Sequence, residues 1–247
     1  MKALRILVTA FLTTGIGCVA HAQLFTYNFA DVVAGNSSTS GGGTSSNLTF
    51  SSVTANGVSA TSNAGGVFSF TSWSTGATTS TDTFSGALDA SDYYQFTVTP
   101  DSSYQYTLTS ITFDAGRSST GARQFEVRSS IDSFTTALTS SASNPAVSIV
   151  SSNVFQFTDN TSTATYSGNS ITLSGLNFTG ISSSITFRIY AYNAEGTSGT
   201  FRLDNLAING SSELAAVPEP STYAAILGGV ALIGVIAIRR RKKFSAA

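Results

Sequence analysis

The central part of the chain has a narrow chemical repertoire. Between Gln23 and Ala216 there is no cysteine, histidine or lysine; the single Cys18 and the single His21 both lie upstream. Thiol catalysis, Ser-His-Asp triads, disulfides, ordinary zinc sites, P-loops and Schiff-base lysines are therefore excluded there. What remains is carboxylate, guanidinium and phenol. Paired-carboxylate glycoside hydrolysis survives this filter, since it needs only two acids facing a cleft about 5–10 Å apart. Glu126 and Glu195 are the only plausible glutamate pair.

Alternation predicts which of these side chains share a face. Gln124, Glu126 and Arg128 interleave with Phe125 and Val127. Arg188, Tyr190 and Tyr192 lie opposite the face of Ile185, Phe187 and Ile189, and Arg202 and Asp204 alternate with Phe201 and Leu203. If these strands are neighbours, Glu126, Arg128, Arg188, Tyr190, Tyr192 and Arg202 form one ligand face, with arginines and acids for sugar hydroxyls and tyrosines for stacking. The plainer reading is an outer sheet face with cross-strand ion pairs of small worth. Trp73 reads as a core or edge anchor before a stacking platform. Asp89-Ala-Ser-Asp92 reads as a turn and strand start.

The elements that must carry these residues are strands. Tyr94, Phe96 and Val98 alternate with polar residues, and Pro100-Asp101 makes a turn. Tyr104, Tyr106 and Leu108 follow. The apolar phase then slips to Ile111 and Phe113, which predicts a bulge near Thr109 or Ser110. A second slip separates Leu203 from Leu206 and Ile208. Strands are also expected at Leu24–Phe29, Leu48–Val53 and Val67–Trp73, and no stretch before Thr222 has a helical period. About twelve strands without a covalent staple suit an all-β, two-sheet antiparallel β-sandwich of the jelly-roll kind.

Both ends of the chain read as addresses. Lys2 and Arg5, an apolar stretch from Ile6 to Val19, and the small-x-small run Ala20-His21-Ala22 form a signal peptide over residues 1–22, cut after Ala22. A lipoprotein cut at Cys18 fits less well, because Gly15 stands where a larger aliphatic residue is usual. Residues 23–216 form one exported domain. It sets five arginines against twelve carboxylates, a net charge of −7, where the whole chain carries −1. Acidity argues against nucleic acid as a partner and is compatible with calcium.

Residues 217–247 are a tail. Val217, Pro218, Glu219 and Pro220 precede an apolar run, 222–238, and a basic cluster, Arg239, Arg240, Arg241, Lys242 and Lys243. At about 1.5 Å per residue the run spans roughly 26 Å, the short limit for a transmembrane helix. The cations place its end in the cytoplasm and the domain outside. A plain tail anchor is the alternative.

In that order, the Pro-Glu-Pro motif, the apolar run and the arginine-rich end resemble the PEP-CTERM sorting signal of Gram-negative bacteria. The resemblance implies recognition and processing near Val217–Pro220 by a membrane protease, an exosortase, and association with exopolysaccharide or biofilm matrix. The stretches Ser110–Ser119, Phe125–Ser130, Ile185–Tyr192 and Gly199–Gly210 resemble jelly-roll domains of other PEP-CTERM proteins. The Leu-Asp-Asn-Leu strand also resembles the last strand of jelly-roll carbohydrate-binding modules. That likeness implies a structural calcium on Asp204, with Asp31 a second ligand by its place after the first strand; no other cofactor is expected. The function expected is an exported, non-enzymatic, structural or carbohydrate-binding protein of the cell surface. The alternatives are a jelly-roll glycosidase, for which no Glu-x-Asp-x-x-Glu strand motif exists, and a self-associating adhesin.

Overall fold

A computed structural model describes residues 22–33, 41–60, 65–78, 82–158, 164–216, 224 and 226–234. The expected signal segment up to residue 21, the Val217–Pro220 motif and the Arg239–Lys243 cluster lie outside these residues. In chain order the strands are β1 (Ala22–Tyr27), β2 (Gly43–Ser45), β3 (Leu48–Phe50), β4 (Thr54–Asn56), β5 (Ser59–Ala60), β6 (Phe68–Thr71), β7 (Tyr93–Pro100) and β8 (Tyr104–Arg117). They continue as β9 (Ala122–Ser129), β10 (Ser140–Ala142), β11 (Val147–Val150), β12 (Val154–Phe157), β13 (Thr165–Thr172), β14 (Ile185–Ala194) and β15 (Phe201–Leu214).

These strands build a sandwich of two antiparallel sheets. One runs β10-β13-β8-β15-β6-β5, with β1 also paired to β15. The other runs β11-β12-β9-β14-β7-β3-β2, with β4 also paired to β7. Period-two alternation explains the layers. In β7, Tyr94, Phe96 and Val98 are buried while Gln95 and Thr97 are half-exposed. The register then stacks inward residues in rows: Phe187 of β14 pairs with Phe96, and Ile189 with Tyr94 on one side and Val127 on the other.

Aromatic rings fill the space between the sheets. Phe125 and Phe155 stack at 4.6 Å, and Phe125 meets Phe201 of the opposite sheet at 5.1 Å. Trp73 is buried edge-on to Tyr94 and Phe201, and its indole N–H donates to the Phe70 carbonyl at 2.8 Å. It is a core anchor. Each fully buried phenylalanine contributes roughly 1.5–3 kcal/mol, so this aromatic layer stabilises the domain without disulfides. The buried phenols find carbonyls: Tyr27 donates to Ser51 at 2.7 Å and Tyr106 to Ser183 at 3.0 Å. Burial pushes both phenol pKa values up.

Both phase slips appear. In β8, Thr109 and Ser110 are consecutive half-buried residues between buried Leu108 and Ile111. In β15, exposed Asn205 has φ 47°, and the buried residues resume at Leu206. Asparagine tolerates that left-handed backbone, and one extra residue restores the inward phase.

The C-terminal unit holds one short helix at residues 224 and 226–234, with Ile226, Leu227, Val230, Leu232 and Ile233 exposed. It reaches roughly 16 Å, about half of a bilayer's hydrocarbon thickness. Among the described residues no helix is long and apolar enough to cross a membrane. The expected 222–238 span extends past the described residues at both ends.

Candidate functional site

The outer face of the β14-containing sheet gathers five of the six candidate ligand residues. β14 lies between β9 and β7, so Tyr190 pairs with Glu126, Arg188 with Arg128 and Tyr192 with Gln124. Their parity turns them away from Phe125, Val127 and Ile189. Arg202 does not join them. It sits on β15 in the other sheet, donates from Nη2 to the Arg117 carbonyl at 2.8 Å, and has a buried Nε without a hydrogen-bond partner. Alternation fixed its outward direction but carried no information on which sheet β15 enters.

Glu126 is the centre of the cluster. It is only 4% exposed. Its Oε1 accepts from Arg128 Nε, and its Oε2 accepts from the Tyr192 hydroxyl at 3.1 Å. Burial first, then the Glu126 charge and hydrogen bond, push the Tyr192 phenol pKa up. Arg128 also donates from Nη1 to the Phe134 carbonyl at 3.0 Å. Beside this pair opens a recess of about 350 Å³, bounded by Thr135, Thr136, Ser152 and Asn153.

The recess walls are held by local chemistry. Phe134 N–H bonds the Ser129 carbonyl and Leu138 N–H bonds the Val127 carbonyl, so the loop is pinned at both ends. Asp132 accepts from the Thr135 and Thr136 N–H groups and from the Thr136 hydroxyl. Burial pushes its carboxyl pKa up, but these bonds outweigh it and hold the group below the usual carboxylate range. Phe134 swings its ring onto Arg188, whose guanidinium carbon lies 4.0 Å from that ring and 4.1 Å from the Tyr93 ring. Arg188 Nε donates to Gln95 at 2.9 Å. The Arg188 charge is thus sandwiched between aromatic faces, a geometry suited to a planar cation.

A second charged cluster escaped the sequence reading. Arg117 and Arg123 are both fully buried, and both donate to Glu195 Oε1, at 3.0 and 3.4 Å. Arg123 also pairs with Asp82, whose side chain is 67% exposed. The available signal was parity: Arg117 continues the inward series Phe113 and Ala115, and Arg123 precedes Phe125 by two. The cluster also places Glu126 on the outer face of its sheet and Glu195 among core-facing arginines. Glu195 lies five residues beyond the partner of Glu126, roughly 16 Å along the strand. The two glutamates do not share a cleft.

Asp204 half-faces solvent on the β15 sheet. Its Oδ1 accepts from Asn205 N–H at 2.8 Å, and burial together with the nearby Asp114 charge raises its carboxyl pKa. Tyr27 pairs with Leu206, so the exposed turn carrying Asp31 leaves the sheet beside this stretch. Among the described residues no three acidic, histidine or cysteine side chains converge on a metal position. Calcium takes six to eight oxygens, carbonyls and waters among them, and the acidic side chains described near Asp204 are Asp114 and the turn residue Asp31. Asp89 accepts from the Ser91 N–H and hydroxyl, as expected of a turn.

No curated protein and no solved structure matches the chain. The profile of the PEP-CTERM protein-sorting motif matches residues 216–242, which takes in Val217, Pro218, Glu219 and Pro220 and the cations from Arg239 to Lys242. The chain carries the sorting motif of an exported protein that an exosortase processes.

Proposed function

We propose that the exported domain is a non-enzymatic jelly roll that binds glycan at the cell surface or in the exopolysaccharide matrix. The tail tethers it in the inner membrane, basic end in the cytoplasm, until the exosortase cuts near Pro218–Pro220. Strand order supports the jelly-roll reading. From β6 onward the chain places β6, β15, β8 and β13 side by side in one sheet and β7, β14, β9 and β12 in the other, the interleaving of two Greek keys.

The observation that carries the glycan reading is the Glu126–Arg128–Tyr192 arrangement beside a polar recess. Glu126, itself fixed by the Tyr192 hydroxyl, holds the Arg128 guanidinium as an oriented donor, and Thr135, Thr136, Ser152 and Asn153 add hydroxyl and amide groups. Recognition sites of about 300–1,000 Å³ with a few fixed polar groups are the usual form for small ligands.

Native-host fractionation with intact-mass analysis tests the address. The expected species starts near Gln23, lacks 222–243 and leaves the membrane fraction. Retention of the tail in the membrane would instead indicate a plain anchor. Glycan-array binding without release of reducing ends is expected of the domain. Sugar release that disappears in Glu126→Gln would point to an enzyme, and concentration-dependent assembly without glycan affinity to an adhesin.

A further inference from the structure

We infer that the recess beside Glu126 and Arg128 takes a carboxylate-bearing sugar, a uronic acid unit of an acidic polysaccharide, with its carboxylate on the Arg128 guanidinium. This rests on the glycan reading of the domain and narrows it to one ligand class.

The first observation is a like-charge pair. Arg128 and Arg188 are direct partners in the β9–β14 ladder. Like charges placed opposite each other destabilise a sheet. Glu126 is the one carboxylate that bonds either guanidinium among the described residues, and both its oxygens are already engaged. Within the β9–β14 ladder the two guanidiniums and Glu126 therefore sum to one positive charge, in a domain whose net charge is −7; the Asp132 carboxylate of the adjoining loop is taken up by Thr135 and Thr136.

The second observation is what Arg128 leaves unused. Its Nε serves Glu126 and its Nη1 serves the Phe134 carbonyl. Its Nη2 donates to no atom of the described residues, and the side chain lines the recess with 22% of its surface exposed. A planar guanidinium already oriented by two partners presents its remaining N–H groups in a fixed direction, which matches a planar carboxylate better than a lone hydroxyl. Arg188 lies outside the lining and adds positive charge from the next strand.

The third observation is backbone strain in and next to the lining segments. Ser133 and Phe134 have φ of 59° and 60°, and Ser152 and Asn153 have φ of 62° and 64°. Left-handed non-glycine residues are costly and persist where the surroundings hold them, often at ligand sites. The first pair precedes the lining residues Thr135 and Thr136 and carries the Phe134 carbonyl that Arg128 bonds, and the second pair, Ser152 and Asn153, itself lines the recess and would offer hydroxyl and amide groups to a sugar.

The test uses the full chain purified in detergent, with oligogalacturonate and a dextran oligomer of equal length as probes in calorimetric titration. The expected result is oligogalacturonate binding at least about tenfold tighter than dextran. The double variant Glu126→Gln/Arg128→Gln, which keeps a hydrogen-bonding pair without the charges, should remove that preference. Arg188→Gln should weaken oligogalacturonate binding about threefold in dilute buffer, a difference that closes at high salt. Circular dichroism melting of each variant separates lost binding from lost fold. Equal binding of the two probes would overturn the uronate inference and leave the glycan reading standing. Binding of neither would remove both. A uronate preference that survives in a folded double variant would move the site elsewhere and overturn the assignment.

Discussion

Tyr94 and Phe201 are joined twice across the sandwich: their rings stack at 5.8 Å, and the Tyr94 hydroxyl donates to the Phe201 carbonyl at 2.8 Å. One residue belongs to each sheet, so the pair clamps the two layers. Phe201→Ala should cost about 3–5 kcal/mol, as should Phe187→Ala, which empties a similar buried site. Leu176→Ala, at a side chain 91% exposed, should stay within about 0.5 kcal/mol. Urea unfolding of the three variants checks this. An unchanged midpoint for Phe187→Ala would mean its face is misassigned.

The buried Arg117–Glu195–Arg123 cluster makes a sharper prediction. Glu195→Gln leaves two buried guanidiniums without their shared carboxylate, and should destabilise by about 3–5 kcal/mol. Asp82→Asn, at the exposed end, should cost under about 1 kcal/mol. Thermal melts of both variants decide it. Similar losses for the two would mean that the cluster's stability resides at the surface.

Asp204 gives a pH dependence with a definite sign. Its folded pKa is raised by burial and by Asp114. The ionised group is therefore penalised in the folded state, and the penalty disappears as pH falls below its unfolded value. Asp204→Asn should raise the melting temperature at neutral pH, and the gain should shrink to nothing under acid conditions. Calcium reverses this expectation. If millimolar calcium stabilises the wild type and Asp204→Asn abolishes that, a metal does bind there.

Asn205 tests the second bulge. Asn205→Gly should be tolerated within a few tenths of a kcal/mol, because glycine accepts φ 47° freely. Asn205→Val should cost about 1–3 kcal/mol, because a β-branched side chain resists that backbone. Equal stabilities would place the phase correction elsewhere in β15.

Alternation made the inward residues of β7, β9 and β14 readable, and the slips at Thr109 and Asn205 were visible as breaks in it. Partnership was not. A period of two says which face a residue takes, but Arg202 and Arg188 follow the same pattern in different sheets. Only the crossover order separates them. The recess was hidden for a related reason: its rim comes from Thr135, Thr136, Ser152 and Asn153, loop residues without periodicity. The buried arginines were legible by parity, but the low frequency of buried charge argues against reading parity that way.

The ladder between β1 and β15 pairs Ala22 with Gly210 and Tyr27 with Leu206, so the opening and closing segments of the domain meet. Such a seam cannot shut until both ends of the domain are present. A partly emerged chain cannot complete the sheet that carries both ends, and non-local pairing of this kind is slow to form. A chain that emerges from its N-terminal end thus stays unlatched until β15, the last strand of the domain, is available.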